Sequence, residues 1–282
     1  MKITSFMRDS AATYGVVVDG GLVDIGARLG DKYPTLKSVL AAGALDEVRK
    51  AADGQAPDAG LDNVTMLPVV PDSQKIICVG LNYATHIKET GRSDSEYPVL
   101  FVRYPDAQVG HGQPMVRPNV SEKFDYEGEL AAIIGKAGRH ISEAGALSHV
   151  AGYACFNDGS VRDWQRHTHQ FLPGKNFPAS GSFGPWMVTA DEIPDPTQMR
   201  LITRLNGQEM QNSTTDLLIF TLPHLISYIS TFTEFNPGDV IVTGTPGGVG
   251  ARRDPPVWMK PGDLIEVDID KIGVLGNPIV AE

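Results

Sequence analysis

The chain has 282 residues, a formal net charge of -10, 41% hydrophobic and 21% charged residues, 30 Gly and 20 Pro. That length accommodates one large domain plus a small one around a sizeable core, the Gly and Pro content suggests a β-rich fold, and the acidic balance argues against nucleic acid as a partner. No run approaches the ~20 apolar residues of a spanning helix and the first residues are charged too soon for a secretory leader, so a cytoplasmic protein with no membrane partner is expected, with Cys78 and Cys155 reduced inside apolar runs.

Residues 14–18 and 22–25 flank Asp19-Gly20 and predict a β-hairpin. Residues 35–52 carry Leu36, Val39, Leu40, Leu45 and Val48 at helical spacing, and a Gly/Ala/Asp/Pro segment follows to Asp62. Residues 1–72 therefore read as a small N-terminal α/β domain that offers no chemistry, and residues 73–282 as the domain that holds every motif below.

Residues 75–80 are a short buried strand by composition, and Ala84 to Thr90 a short helix closed by Gly91. His86 and Glu89 share a face of that helix, where the carboxylate can orient the imidazole and raise its basicity. The same spacing also arises by chance in an exposed helical pair, although its place just after a buried strand favours function. Residues 98–102 form another strand, followed by a Gly- and Pro-containing loop over 103–118.

Phe124-Asp125-Tyr126-Glu127-Gly128-Glu129-Leu130 runs without a break into an apolar stretch ending at Gly135. Read as one strand, it places Asp125, Glu127 and Glu129 on one face and carries them toward a core. Burying unpaired carboxylates costs several kcal/mol and neighbouring ones repel, so a cation should neutralise them. The other reading of Glu-x-Glu is a strand whose acidic face meets water. Ser142 can cap a helix to about His149, and the apolar strand 150–156 then delivers Asp158 at its end. Two Glu and one Asp make a hard, all-oxygen set that suits Mg²⁺, Mn²⁺ or Ca²⁺ and not zinc. A helix predicted from Ser160 to His167, with Lys175 beyond it, would turn Arg162, Gln165 and Lys175 toward an anionic ligand on the metal. His167-Thr168-His169 reads as a polar surface turn.

Asn206-Gly207 after residues 199–205 is the strongest hairpin signal in the chain. Pro223 opens a helix through Phe232, and the strand 240–243 leads into Gly244-Thr245-Pro246-Gly247-Gly248-Val249-Gly250. A phosphate loop would need Gly-Lys-Ser/Thr and a following helix, whereas Arg252-Arg253-Asp254-Pro255-Pro256 comes next, so a tight loop approaching a small ligand with its backbone and the Thr245 hydroxyl is the reading. Lys260-Pro261-Gly262-Asp263 and an alternating strand to Ile269 close a β-rich half.

From Lys75 onward these motifs in this order resemble the fumarylacetoacetate hydrolase family: Gly80-Leu81-Asn82-Tyr83-Ala84-Thr85-His86, Asp125-Tyr126-Glu127-Gly128-Glu129, Asn157-Asp158-Gly159-Ser160-Val161-Arg162-Asp163-Trp164-Gln165, Gly174-Lys175, Pro237-Gly238-Asp239 and Gly244-Thr245-Pro246. The resemblance implies an α+β, β-rich fold, a mixed β-sandwich roll preceded by a small variable domain, and a homodimer through the C-terminal half. It implies Glu127, Glu129 and Asp158 as metal ligands, with Asp125 behind them, His86 with Glu89 as an acid–base dyad on a mobile lid, and Gln165, Lys175 and Thr245 as substrate contacts. Two positions depart from the pattern: Arg103-Tyr104 stands where many members have Lys-Pro, and Leu81 where small acylpyruvase-like members often have Arg; Arg103 is accordingly placed at the substrate.

The activity implied is Mg²⁺-dependent cleavage of a C–C bond in a 2,4-dioxo acid, an acylpyruvate or a 2,4-diketo-3-deoxy sugar acid, to pyruvate and a carboxylic acid. The dyad supplies a base for water, which favours hydrolysis over the alternative, decarboxylation or tautomerisation of oxaloacetate through a similar enolate. A non-catalytic metal-binding protein would need neither the dyad nor Lys175.

Overall fold

The computed structural model describes residues 1–90 and 95–282, so the helix stop expected at Gly91 lies outside the described residues. Its centre is a large, mostly antiparallel sheet. Across it run Ala59–Gly60, Gly21–Asp24, Ala11–Val18, Lys2–Arg8, Gly181–Thr189, Val150–Asn157, Gly128–Ile134, Val240–Val242, Ile76–Gly80 and Val99–Arg103. Only the pairing of Val240–Val242 with Ile76–Gly80 is parallel along this path. A second sheet holds Gln208–Thr214, Arg200–Leu205, Leu264–Ile269, Gly273–Ala281 and Met115–Arg117. Multiple sheets in an α+β, strand-rich chain are what the resemblance implied.

Both faces of the central sheet are covered, which explains why its inner strands are apolar over successive positions, 130–134 and 150–156, and do not alternate there. Ala131 and Ile133 of Gly128–Ile134 point to one core with Ala154, Phe156 and Val242, roofed by Leu36, Val39, Leu40 and Val48 of two N-terminal helices. Leu130, Ala132 and Ile134 point the other way, to Leu201, Val267 and Ile269 of the second sheet and to Leu225, Ile226 and Ile229 of the helix Leu222–Phe232. Each large aliphatic side chain buried this way contributes about 1.5–3 kcal/mol, whereas burying an ion costs several. The apolar strands hold the acids of the site in place, not the reverse.

Local rules account for much of the rest. The hairpin turns stand at Asp19-Gly20 (φ 47° and 77°) and Asn206-Gly207 (φ 53° and 78°), the left-handed pairs a two-residue turn requires. Thr221 caps Leu222–Phe232 by accepting from the N–H of His224, with Pro223 in the first turn.

Long-range pairing overrode local pattern elsewhere. The strands of residues 1–72 extend the central sheet, Lys2–Arg8 pairing with Gly181–Thr189, so the expected boundary at 72/73 does not interrupt it. The helix expected over 35–52 is two helices, Leu36–Ala41 and Leu45–Ala52, broken where Gly43 takes φ 63°. Ser142 makes no capping bond and Glu143–His149 is a 3₁₀ segment. The helix expected from Ser160 is only Arg162–Gln165, because Ser160–Val161 pairs with Phe124–Asp125. That pairing also breaks the acidic strand: Phe124–Asp125 and Gly128–Ile134 belong to different sheets, with Tyr126 and Glu127 outside both strands.

Candidate active site

The antiparallel register Gly128↔Asn157 and Glu129↔Phe156 brings the start of one central strand beside the end of its neighbour. Two bonds lock the junction: the N–H of Glu127 donates to Asn157 Oδ1 at 3.0 Å and the N–H of Asp158 to the carbonyl of Glu127 at 2.8 Å. Gly128 is required there, since a Cβ would lie 2.1 Å from Thr203 Oγ1. In consequence Glu127, Glu129 and Asp158, all buried, each offer an oxygen within 4.8 Å of the others.

Three cations surround this cluster. Lys175 Nζ donates to Glu127 Oε2 and to Asp158 Oδ2, both at 2.6 Å. Arg162 spans Asp125 Oδ2 and Glu127 Oε1, both at 2.7 Å. Arg103 Nη1 donates to Asp158 Oδ1 at 2.6 Å and its Nη2 to Ser180 Oγ at 2.8 Å. Among the described residues Glu129 has a single donor, the N–H of Gly244 at 2.6 Å. Burial would raise the Glu127 carboxyl, but Arg162 and then Lys175 outweigh it and hold it low. Glu129 goes the other way, pushed well above the usual carboxylate range by burial and then by Asp158 and Glu127. Lys175 is held charged because Asp158 and Glu127 outweigh its burial. An oxygen-only set of buried acids, one of them unmatched by any cation among the described residues, fits a hard divalent ion.

The raised Glu129 carboxyl has a measurable consequence. A group that binds its proton more tightly folded than unfolded loses that stabilisation as pH rises from its unfolded value, 4.5, toward the raised one. With chelator present, the Tm of the wild type should fall across that window and that of Glu129→Gln should fall less; parallel slopes would contradict it.

His86 lies on the helix Ala84–Thr90 with Nδ1 2.7 Å from Glu89 Oε1. An ionised carboxylate only accepts, so Nδ1 carries the proton and Nε2 is left with the lone pair. Glu89 is fixed in turn by the N–H of Gly248 at 2.8 Å, and Thr85 Oγ1 accepts from the N–H of Gly247 at 3.2 Å. The glycine-rich loop thus gives its N–H groups to side chains of the site: Gly244 to Glu129, Gly247 to Thr85, Gly248 to Glu89, and Gly250 to Asp125 at 2.8 Å. This is the physical reason it is no phosphate loop. Gly244 achieves its bond at φ 109°, where a Cβ would come within 2.7 Å of that of Asn82.

His86, Glu127, Glu129, Arg162, Gln165, Lys175 and Thr245 line one cavity of about 60 Å³. Gln165 gives its carbonyl oxygen to Arg162 at 3.0 Å, leaving the amide for a ligand. Thr245 reaches the cavity, but its hydroxyl already donates to the carbonyl of Gly128 at 3.0 Å and accepts from Gln211 at 2.7 Å. Arg103, expected at the substrate, is 1% exposed, lies outside the lining and sits behind Asp158. A strand-end arginine reads the same in sequence whether it faces a ligand or backs a carboxylate. Phe101, Phe171, Arg166 and Arg252 also line the cavity; no motif marks the aromatics or Arg252, while Arg166 belongs to the polar run Arg166 to His169, whose other members are exposed and outside the lining.

The sequence model of the fumarylacetoacetate (FAA) hydrolase C-terminal family matches residues 75–280. The chain belongs to the fumarylacetoacetate hydrolase family. Within it, this chain is 38% identical over 265 residues to a protein of Bos taurus named oxaloacetate tautomerase FAHD2A, mitochondrial, covering 93% of this chain and 84% of the relative. Among solved structures it is similar to the fumarylacetoacetate hydrolase of Exiguobacterium antarcticum, 36% identical with TM-score 0.83, covering all of both chains. It is also similar to the maleylpyruvate hydrolase of Sphingobium sp. SYK-6 in complex with manganese(II) ion and pyruvate, 29% identical with TM-score 0.82, covering 100% and 99% of the two chains. No helix among the described residues is long and apolar enough to cross a membrane.

Proposed function

We infer that the protein is a divalent-metal-dependent tautomerase that interconverts the enol and keto forms of oxaloacetate. The observation that carries this reading is the likeness, across 93% of the chain, to a relative named oxaloacetate tautomerase. It reverses the order expected from the sequence, where the dyad's suitability as a base for water put hydrolysis first. The reaction needs less than hydrolysis does: one proton leaves the enol oxygen, one arrives at C3, and no bond between carbons breaks.

Glu127, Glu129 and Asp158 would hold the ion, with Mg²⁺ the first choice and Mn²⁺ or Ca²⁺ alternatives for the same oxygen set. When bound, it supplies Lewis-acid charge to the 2-oxo acid head. His86, its Nδ1 held by Glu89, moves the proton at C3 through Nε2. Lys175 and Arg162 hold the Glu127 carboxylate ionised, and the Gln165 amide contacts the substrate's oxygens. A cytoplasmic location rests on composition and on two buried free cysteines, whereas the bovine relative is named mitochondrial.

Hydrolysis of a 2,4-dioxo acid is the second reading, supported by the likeness to maleylpyruvate hydrolase. Incubation with oxaloacetate, acylpyruvates and a diketo-deoxy sugar acid in H₂¹⁸O with Mg²⁺ separates the two. Faster ketonisation of oxaloacetate with no cleavage of the dioxo acids is the expected outcome; label built into a carboxylic acid released from a dioxo acid, beyond spontaneous exchange, would move the assignment to hydrolysis.

A further inference from the structure

The cations deep in the site have no charge to spare. Arg103, Arg162 and Lys175 are bonded to Asp158, Asp125 and Glu127, three cations against three acids. A divalent ion added beside Glu129 provides for the chelating head of a 2-oxo acid, and nothing in that cluster is left for a second carboxylate. Arg252 differs. It lines the same cavity, is exposed, and its guanidinium makes no hydrogen bond or ion pair among the described residues.

Its neighbour shows that this is not the habit of the loop. Arg253 donates through Nη2 to the carbonyl of Met210 at 2.6 Å and through Nε to Tyr126 Oη at 3.2 Å and the carbonyl of Gly248 at 3.3 Å. The backbone that carries Arg252 is itself pinned. The N–H groups of Gly250 and Ala251 donate to the Asp125 carboxylate at 2.8 and 3.0 Å, and the N–H of Arg252 to the carbonyl of Val249 at 3.2 Å. An anchored stem thus carries, at the edge of the cavity, a planar guanidinium with no partner among the described residues, a group that takes a carboxylate through two parallel bonds.

We propose that Arg252 binds the distal carboxylate of a 2-oxo dicarboxylic acid and so sets the preference for dicarboxylates over 2-oxo monocarboxylates. This names a recognition residue for the function proposed above and rests on that reading. Asp125 links the two ends of the substrate: its carboxylate holds both Arg162, which grips Glu127, and the turn that carries Arg252. The distance between head and tail recognition is thereby set by the fold.

The test measures binding, so its failure is distinguishable from failure of the tautomerase reading, which turnover decides. In the Mg²⁺-loaded protein, calorimetry compares malate, a stable 2-hydroxy analogue with the distal carboxylate, with oxalate, which has the chelating head alone. Arg252→Gln should weaken malate by about 10- to 100-fold, the range for hydrogen bonds to a charged group, and leave oxalate within about twofold of the wild type. Arg252→Lys should recover part of the malate affinity, since a point charge replaces the fork. Equal weakening of malate and oxalate, or unchanged malate affinity in Arg252→Gln, would overturn the proposal.

Discussion

Replacing His86 by alanine is expected to lower kcat by about 10²–10⁴-fold, the usual cost of losing a general acid–base group, while divalent-metal binding is kept. The two effects separate because no bond between His86 and the acid cluster holds that cluster together: its contacts are Glu89 and, through Glu89, the Gly248 N–H. Glu89→Gln should give a smaller loss, since an amide oxygen still accepts from Nδ1 but no longer stabilises the charged ring. Kinetics and metal titration on the same preparations check this. Full activity in His86→Ala would place the base elsewhere.

A larger disruption is expected at Asp158, which is fully buried between Arg103 and Lys175. Asp158→Ala removes one of the three proposed metal ligands and leaves two buried cations short of their partner; breaking one side of such a pair costs about 3–5 kcal/mol. The variant should melt well below the wild type and show no Mg²⁺-dependent rise in Tm. Because Asp158→Ala can fail to fold, Asp158→Asn is the companion: it keeps the shape and an acceptor, so it should fold yet still lose the metal-dependent shift. Unchanged metal binding in both would remove Asp158 from the ligand set.

What the sequence shows of this molecule follows from how local each determinant is. The Asp19-Gly20 and Asn206-Gly207 turns are legible because left-handed backbone selects those residues at the point of need. The acids are legible as chemistry, since carboxylates embedded in apolar runs demand compensation, and Glu127, Glu129 and Asp158 do converge. Their mechanism of convergence is not legible. Period-two alternation put Asp125 on the same strand face as Glu127 and Glu129, whereas pairing with Ser160–Val161 pulls Asp125 into another sheet. The N-terminal strands gave no sign of joining the central sheet, because the partner of Lys2 is Val188. Arg252 could not be found by spacing at all; only the fold shows that, unlike Arg253, it has no partner among the described residues and lines the cavity.

The most direct measurement is proton transfer at C3 of oxaloacetate. With Mg²⁺ in D₂O, NMR should show the wild type accelerating deuterium entry at C3 and enol-to-keto relaxation, with pyruvate formed no faster than in buffer and His86→Ala reduced toward the uncatalysed rate. Pyruvate appearing in step with loss of oxaloacetate, or C3 exchange at the buffer rate with the wild type present, would contradict a tautomerase.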